Sequence, residues 1–194
     1  RDGAASPSGG PLGQTLEMTV SGTEDPEPLH VTLQLPDGWE NASWYAARVD
    51  DETSSLSFSL VHNTISEPCQ NVPRDPGVDQ TMESVATGFT EIAGTTATAP
   101  VAATVAGMEA MYVEVATPES LPCDPFWMWE STPGDGNYPS AGQTLRIWVV
   151  EAGGQVVAVM TRTHEGTSSE TQEQLDAPLE TIVFDEGAPT SSGG

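Results

Sequence analysis

The chain has 194 residues and a net charge of −24, from 29 Asp and Glu against 5 Arg and no Lys. The length suits one domain with tails. Such a surface has no cationic patch to release counterions, which excludes nucleic acid and anionic lipid head groups as partners.

The start, 1–14, is rich in Ser, Gly and Pro and reads as a flexible linker. The first strand is predicted over Leu16 to Val20. His30 to Leu35 follows, with Val31, Leu33 and Leu35 alternating as a half-buried strand that stops at Pro36-Asp37-Gly38. Two more strands are predicted over 43–49 and 55–65, around the acidic turn Asp50-Asp51-Glu52; Leu56, Phe58 and Leu60 alternate in the second.

Cys69 and Cys123, the only cysteines, each follow a proline in polar loops. There is no CxxC, and His30, His62 and His164 have no ligand spacing, so neither a metal site nor a redox pair is expected. The pair reads as one structural disulfide, which places the domain outside the cytoplasm. Closing a loop of separation 54, it is worth about 4 kcal/mol in the chain-entropy model.

The period then changes. Val78, Met82, Val85, Phe89 and Ile92 form one apolar stripe, predicting a helix over 78–93 capped at Gly94. A hairpin is predicted from 98–105 and 108–115 across Ala106-Gly107, with Met108, Ala110, Tyr112 and Glu114 on one face. Phe126 to Trp129 reads as a strand and 131–142 as a long loop. The strongest local signal is the hairpin of 145–150 and 156–160 across Gly153-Gly154. Ile147, Val149, Ala158 and Met160 share one apolar face, and Trp148, Val150, Val157 and Val159 the other, so this pair is covered on both sides. A last helix over 168–182 opens on a capping box at Thr167 and Glu170, buries Leu175, Leu179 and Ile182, and breaks near Ala177 because of Pro178. No apolar run reaches membrane-spanning length. The organisation expected is a linker at 1–14, a single domain at 15–185 and a flexible tail at 186–194. The fold class is α+β, an antiparallel β-sheet with helices packed on its faces.

Four features, Leu35-Pro36-Asp37-Gly38-Trp39, Pro68-Cys69, the Arg146 to Met160 hairpin, and the Thr167 to Phe184 segment, occur in this order. In that order the chain resembles actinobacterial exported and lipoprotein domains of the Mog1/PsbP-like (LpqN-like) type over about 16–185. The resemblance implies a central antiparallel sheet with helices on its faces and supplies no catalytic residues. Its members look like binding or accessory modules outside the membrane.

Site candidates are few. Trp127, Trp129, Tyr138 and Trp148 are the aromatic candidates for a binding surface; filling the core is the competing role, as for Trp39 and Trp44. The acidic turns Glu24-Asp25-Pro26-Glu27, Asp50-Asp51-Glu52 and Asp135-Gly136-Asn137 lack a calcium-loop pattern and read as solvated. Neither G-x-S-x-G nor SxxK is present, so no catalytic residue, metal or cofactor is expected. A pocket holding His62 or His164 against a carboxylate and a hydroxyl would revive a cell-wall hydrolase. The expected function is a non-enzymatic extracytoplasmic module of the cell envelope that binds a protein or glycan. The alternative is an accessory or sensor domain of a larger membrane assembly. Any membrane association goes through a tether outside this chain.

Overall fold

The doubly apolar hairpin organises the molecule. In the computed structural model, which describes residues 12–20, 29–42, 45–48, 51–74 and 80–185, it lies at the centre of an eight-stranded sheet. The strands in chain order are β1 (Leu12–Thr19), β2 (His30–Pro36), β3 (Trp39–Ala42), β4 (Tyr45–Arg48), β5 (Asp51–Leu60), β6 (Asn63–Glu67) and β7 (Val72–Pro73). After helix α1 (Met82–Thr90) come β8 (Thr96–Ala97), β9 (Val101–Val105), β10 (Met108–Ala116), β11 (Trp129–Thr132), β12 (Asp135–Asn137), β13 (Gln143–Ala152) and β14 (Gln155–His164). Helix α2 (Ser169–Asp176), a 3-10 turn (Ala177–Thr181) and β15 (Val183–Asp185) complete the described chain.

The central sheet runs β3-β4-β5-β14-β13-β10-β8, with β9 also on β10, and every strand pair among the described residues is antiparallel. Trp148, Val150, Val157 and Val159 enter one core, and Leu145, Ile147, Val149, Ala158 and Met160 the other, as their alternation requires. The first core lies under the sheet β1-β2-β15, whose Leu16, Met18, Val31, Leu33 and Leu35 point inward, together with Leu175, Leu179 and Ile182. The second lies under α1, the segment 121–128 and the small sheet β12-β11-β6-β7. The fold is therefore α+β, an antiparallel sheet covered on both faces, with Cys69 bonded to Cys123 at a Cα separation of 5.6 Å.

Several boundaries depart from the sequence reading. β1 begins at Leu12, within the stretch read as linker. Trp39–Ala42 is a strand that the turn at Asp37-Gly38 hid. The expected strand 55–65 is two, broken at Val61-His62, so that β5 joins the central sheet and β6 the small one. Its serines are buried too: Ser55, Ser57 and Ser59 turn away from Leu56 and Phe58 and lie beneath the second cover. Helix α1 is shorter than 78–93; it starts after the Thr81 cap and stops at Glu91 rather than at Gly94. In α2 the cap is Ser168, which accepts from the Thr171 N–H, whereas Thr167 Oγ1 accepts from the His164 N–H. The helix gives way at Ala177, where Pro178 forces a 3-10 turn. The expected loop 131–142 opens as a hairpin, β11 and β12 around Pro133-Gly134. Val78, Trp44, Asp50 and Glu24-Asp25-Pro26-Glu27 lie outside the described residues.

Candidate functional site

A half-buried arginine among the apolar residues at the middle of a strand must find a counter-charge. Arg146 does so in β13. Its Nη1 donates to Asp176 Oδ1 at 2.5 Å, tying the sheet to the end of α2. Its guanidinium lies 5.0 Å from the Trp148 ring, which in turn packs against Tyr112 at 5.1 Å. Burial alone pulls the guanidinium down, but Asp176 and Tyr112 outweigh it and hold Arg146 above its ordinary value. Burial raises the Tyr112 phenol as well, against the lowering effect of Arg146; its hydroxyl donates to Glu114 Oε2 at 3.2 Å.

Beside this group the ends of β10, β13 and β14 and the first turns of α2 enclose a cleft of about 480 Å³. That volume lies within the ordinary range for small-molecule sites. Its lining includes Glu114, Glu119, Gln143, Arg146, His164, Glu165 and Gln172, with the hydroxyls of Thr117, Thr144, Thr163 and Thr167. Gln143 and Thr117 fix its floor. The Gln143 N–H donates to Thr117 Oγ1, and the Thr117 N–H donates to the Gln143 carbonyl, each at 2.8 Å.

This is the pocket that would have revived a hydrolase, and it brings His164 beside carboxylates and hydroxyls. The bonds run otherwise. Gln143 Oε1 accepts from the Ser140 N–H at 2.8 Å, which turns its amide NH2 toward the imidazole. That NH2 lies 3.3 Å from His164 Nε2, so a neutral ring accepts there and carries its proton on Nδ1. Among the described residues no carboxylate and no hydroxyl hydrogen-bonds to the His164 ring. His62 lines a separate cleft of about 230 Å³ with Ser131, Gln80 and Gln155, and among the described residues no carboxylate lines it.

The aromatic candidates divide. Trp129 is 0% exposed in the second core, where its Nε1 donates to Ser59 Oγ at 3.1 Å. Trp148 is 7% exposed and lies in the first core. Trp127, outside any strand, stands edge-on to Tyr138 at 5.1 Å, and Tyr138 is 55% exposed. Gly136 is required beneath them, because a Cβ there would collide with the Trp127 ring. The four rings thus form no single surface. Trp39 is buried in the first core. Among the described residues no three His, Cys, Asp or Glu side chains gather as a metal site, and no helix is long and apolar enough to cross a membrane.

Sequence reasoning missed the cleft because its residues come from four separated segments. The available signal was Arg146 itself, a single charge between Leu145 and Ile147.

No family profile and no curated protein matches the chain. Among solved structures it is similar to cyanobacterial PsbP (CyanoP) from Synechocystis sp. PCC 6803. Identity is 12% and the TM-score 0.40, over 93% of this chain and 97% of that one. This likeness carries no argument about the chain's family. It bears neither on an actinobacterial origin nor on a lipid anchor, and no site or partner is carried over from it.

Proposed function

We propose that this chain is a non-enzymatic binding or accessory module working outside the cytoplasm, at the cell envelope. Its cleft takes a small ligand rich in hydroxyl or amino groups, of the kind an envelope glycan presents. The observation that carries this reading is the lining of the cleft: Glu114, Glu119 and Glu165 are acceptors, and Gln143 and Gln172 add amides. Such a wall suits a ligand that mainly donates hydrogen bonds. The Asp176 carboxylate already engages Arg146, the one arginine among the described lining residues, which leaves the acidic field unopposed. The Cys69–Cys123 bond supports the compartment, since structural disulfides persist where thiols are not kept reduced. A lipobox cysteine upstream would make it a free lipoprotein, and a spanning helix an accessory domain of a membrane assembly.

Calorimetric titration with a glucosamine disaccharide and with an uncharged disaccharide tests the reading. The glucosamine form is expected to bind more tightly, and Glu114→Gln is expected to narrow the difference. Mass spectrometry of the same mixtures is expected to show the sugars intact. Release of monosaccharide would replace this reading with a hydrolase centred on His164, and absence of heat with both sugars would remove the cleft as the site.

A further inference from the structure

The two edges of a sheet expose unpaired backbone N–H and C=O groups, and proteins ordinarily blunt such edges with charge, Pro or a cover. Three described edge strands have four or more residues. β1 carries Glu17 and β3 carries Glu40. β9, Val101-Ala102-Ala103-Thr104-Val105, carries no charge. The longest uncharged stretch of this acidic chain runs from Ile92 to Met108 and contains it. The inner side of β9 pairs with β10 from Val105↔Met108 to Val101↔Tyr112. No residue from Val101 to Val105 has a hydrogen-bond partner on the outer side among the described residues. Val101 is 52% exposed, and Ala102 and Thr104 are exposed as well.

We propose that the outer edge of β9 is a docking site for an extended, Lys- or Arg-bearing segment of a partner protein, which adds to the sheet as a further strand. The backbone edge supplies the affinity of strand addition, and small side chains let the incoming strand approach. Charge selects the occupant. The chain carries −24, so a second copy meets repulsion, whereas a basic segment meets attraction. Glu109 sits in register with Thr104 on the next strand inward, exposed. A strand added outside β9 lies about 10 Å from β10, twice the interstrand spacing, within reach of a long basic side chain passing over Thr104. This surface involves a stretch of β10 that precedes the residues lining the cleft, so it stands independently of the proposed ligand.

The test uses the whole chain and two fluorescent peptides, one alternating Lys with Val and Thr, the other with Glu in place of Lys. Amide hydrogen exchange on the unmodified chain is expected to slow about tenfold over 101–105 when the Lys peptide is bound, with no slowing at Gln143 or His164. Anisotropy is expected to show weakening with added salt. Ala102→Lys combined with Thr104→Lys changes two exposed side chains and is expected to cost about tenfold in affinity at unchanged Tm. Equal binding of the Glu peptide, protection confined to the cleft, or indifference to the double variant would overturn the proposal. So would self-association of the chain with β9 protected in the absence of peptide, which would give the edge to a second copy.

Discussion

The two covers of the central sheet are built differently. The first, β1-β2-β15 with α2, packs on the sheet through apolar side chains and through a partly exposed ion pair, Arg146–Asp176. The second is tied down. Cys69–Cys123 joins the β6-β7 turn to the segment 121–128. Arg74 donates from Nη1 to the Ser84 carbonyl at 2.7 Å and pairs through Nε with Glu91 at 2.6 Å, clasping α1 at both ends. Beneath them Ser59, Ser131, Trp129 and Asn137 share a buried hydroxyl network. The cleft opens at the border of the cover without a covalent tie. Ligand sites draw on regions of lower local stability, and the cleft proposed to bind a ligand borders the cover that has no crosslink.

Removing the crosslink should erase the contrast. Cys69→Ala with Cys123→Ala is expected to cost about 4 kcal/mol in denaturant unfolding, the loop-entropy value for this separation. Exchange should accelerate in α1 and over 121–128 before it does in α2. A loss spread evenly over both covers would mean that the two are one cooperative unit.

Leu175→Ala sharpens the contrast from the other side. Leu175 is fully buried in the first core, and its truncation is expected to cost about 3 kcal/mol. With no covalent tie to hold it, α2 should fray first and ligand affinity at the cleft should fall with it. Trp129→Phe removes the indole N–H bond to Ser59 and leaves a cavity in the second core where the larger indole stood, for about 2 kcal/mol, without effect on the cleft.

The smallest effect is that of salt. α2 carries Glu170, Glu173 and Asp176 and no basic residue. Sodium chloride should therefore raise Tm, most steeply below physiological strength, and should slow exchange in α2 more than in α1. Calcium at fixed ionic strength is expected to add nothing further. A rise of several degrees at sub-millimolar calcium would turn Asp50-Asp51-Glu52 or Asp135-Gly136-Asn137 into a binding loop.

What the sequence conveyed follows from the same physics. The Arg146 to Met160 hairpin was legible because both faces alternate within one short span and Gly153-Gly154 fixes the register. Helix α1, the break at Pro178 and the cysteine pair were legible for equally local reasons. The division of 55–65 was not, since Val61-His62 carries no Gly or Pro to mark it and the buried serines mimic a solvent face. Nor was the separation of Trp129 from Trp148, which depends on which cover each ring meets. The cleft was the least legible, because Glu114, Gln143, His164 and Gln172 become neighbours only through the pairing β10-β13-β14 and the docking of α2.

The most direct test of a cleft bordered by the untied cover is hydrogen exchange of the whole chain with and without saturating glucosamine disaccharide. Exchange is expected to slow at Gln143, His164 and the first turns of α2, with α1 and residues 121–128 unchanged. Protection confined to Trp127 and Tyr138, or to α1, would contradict that expectation.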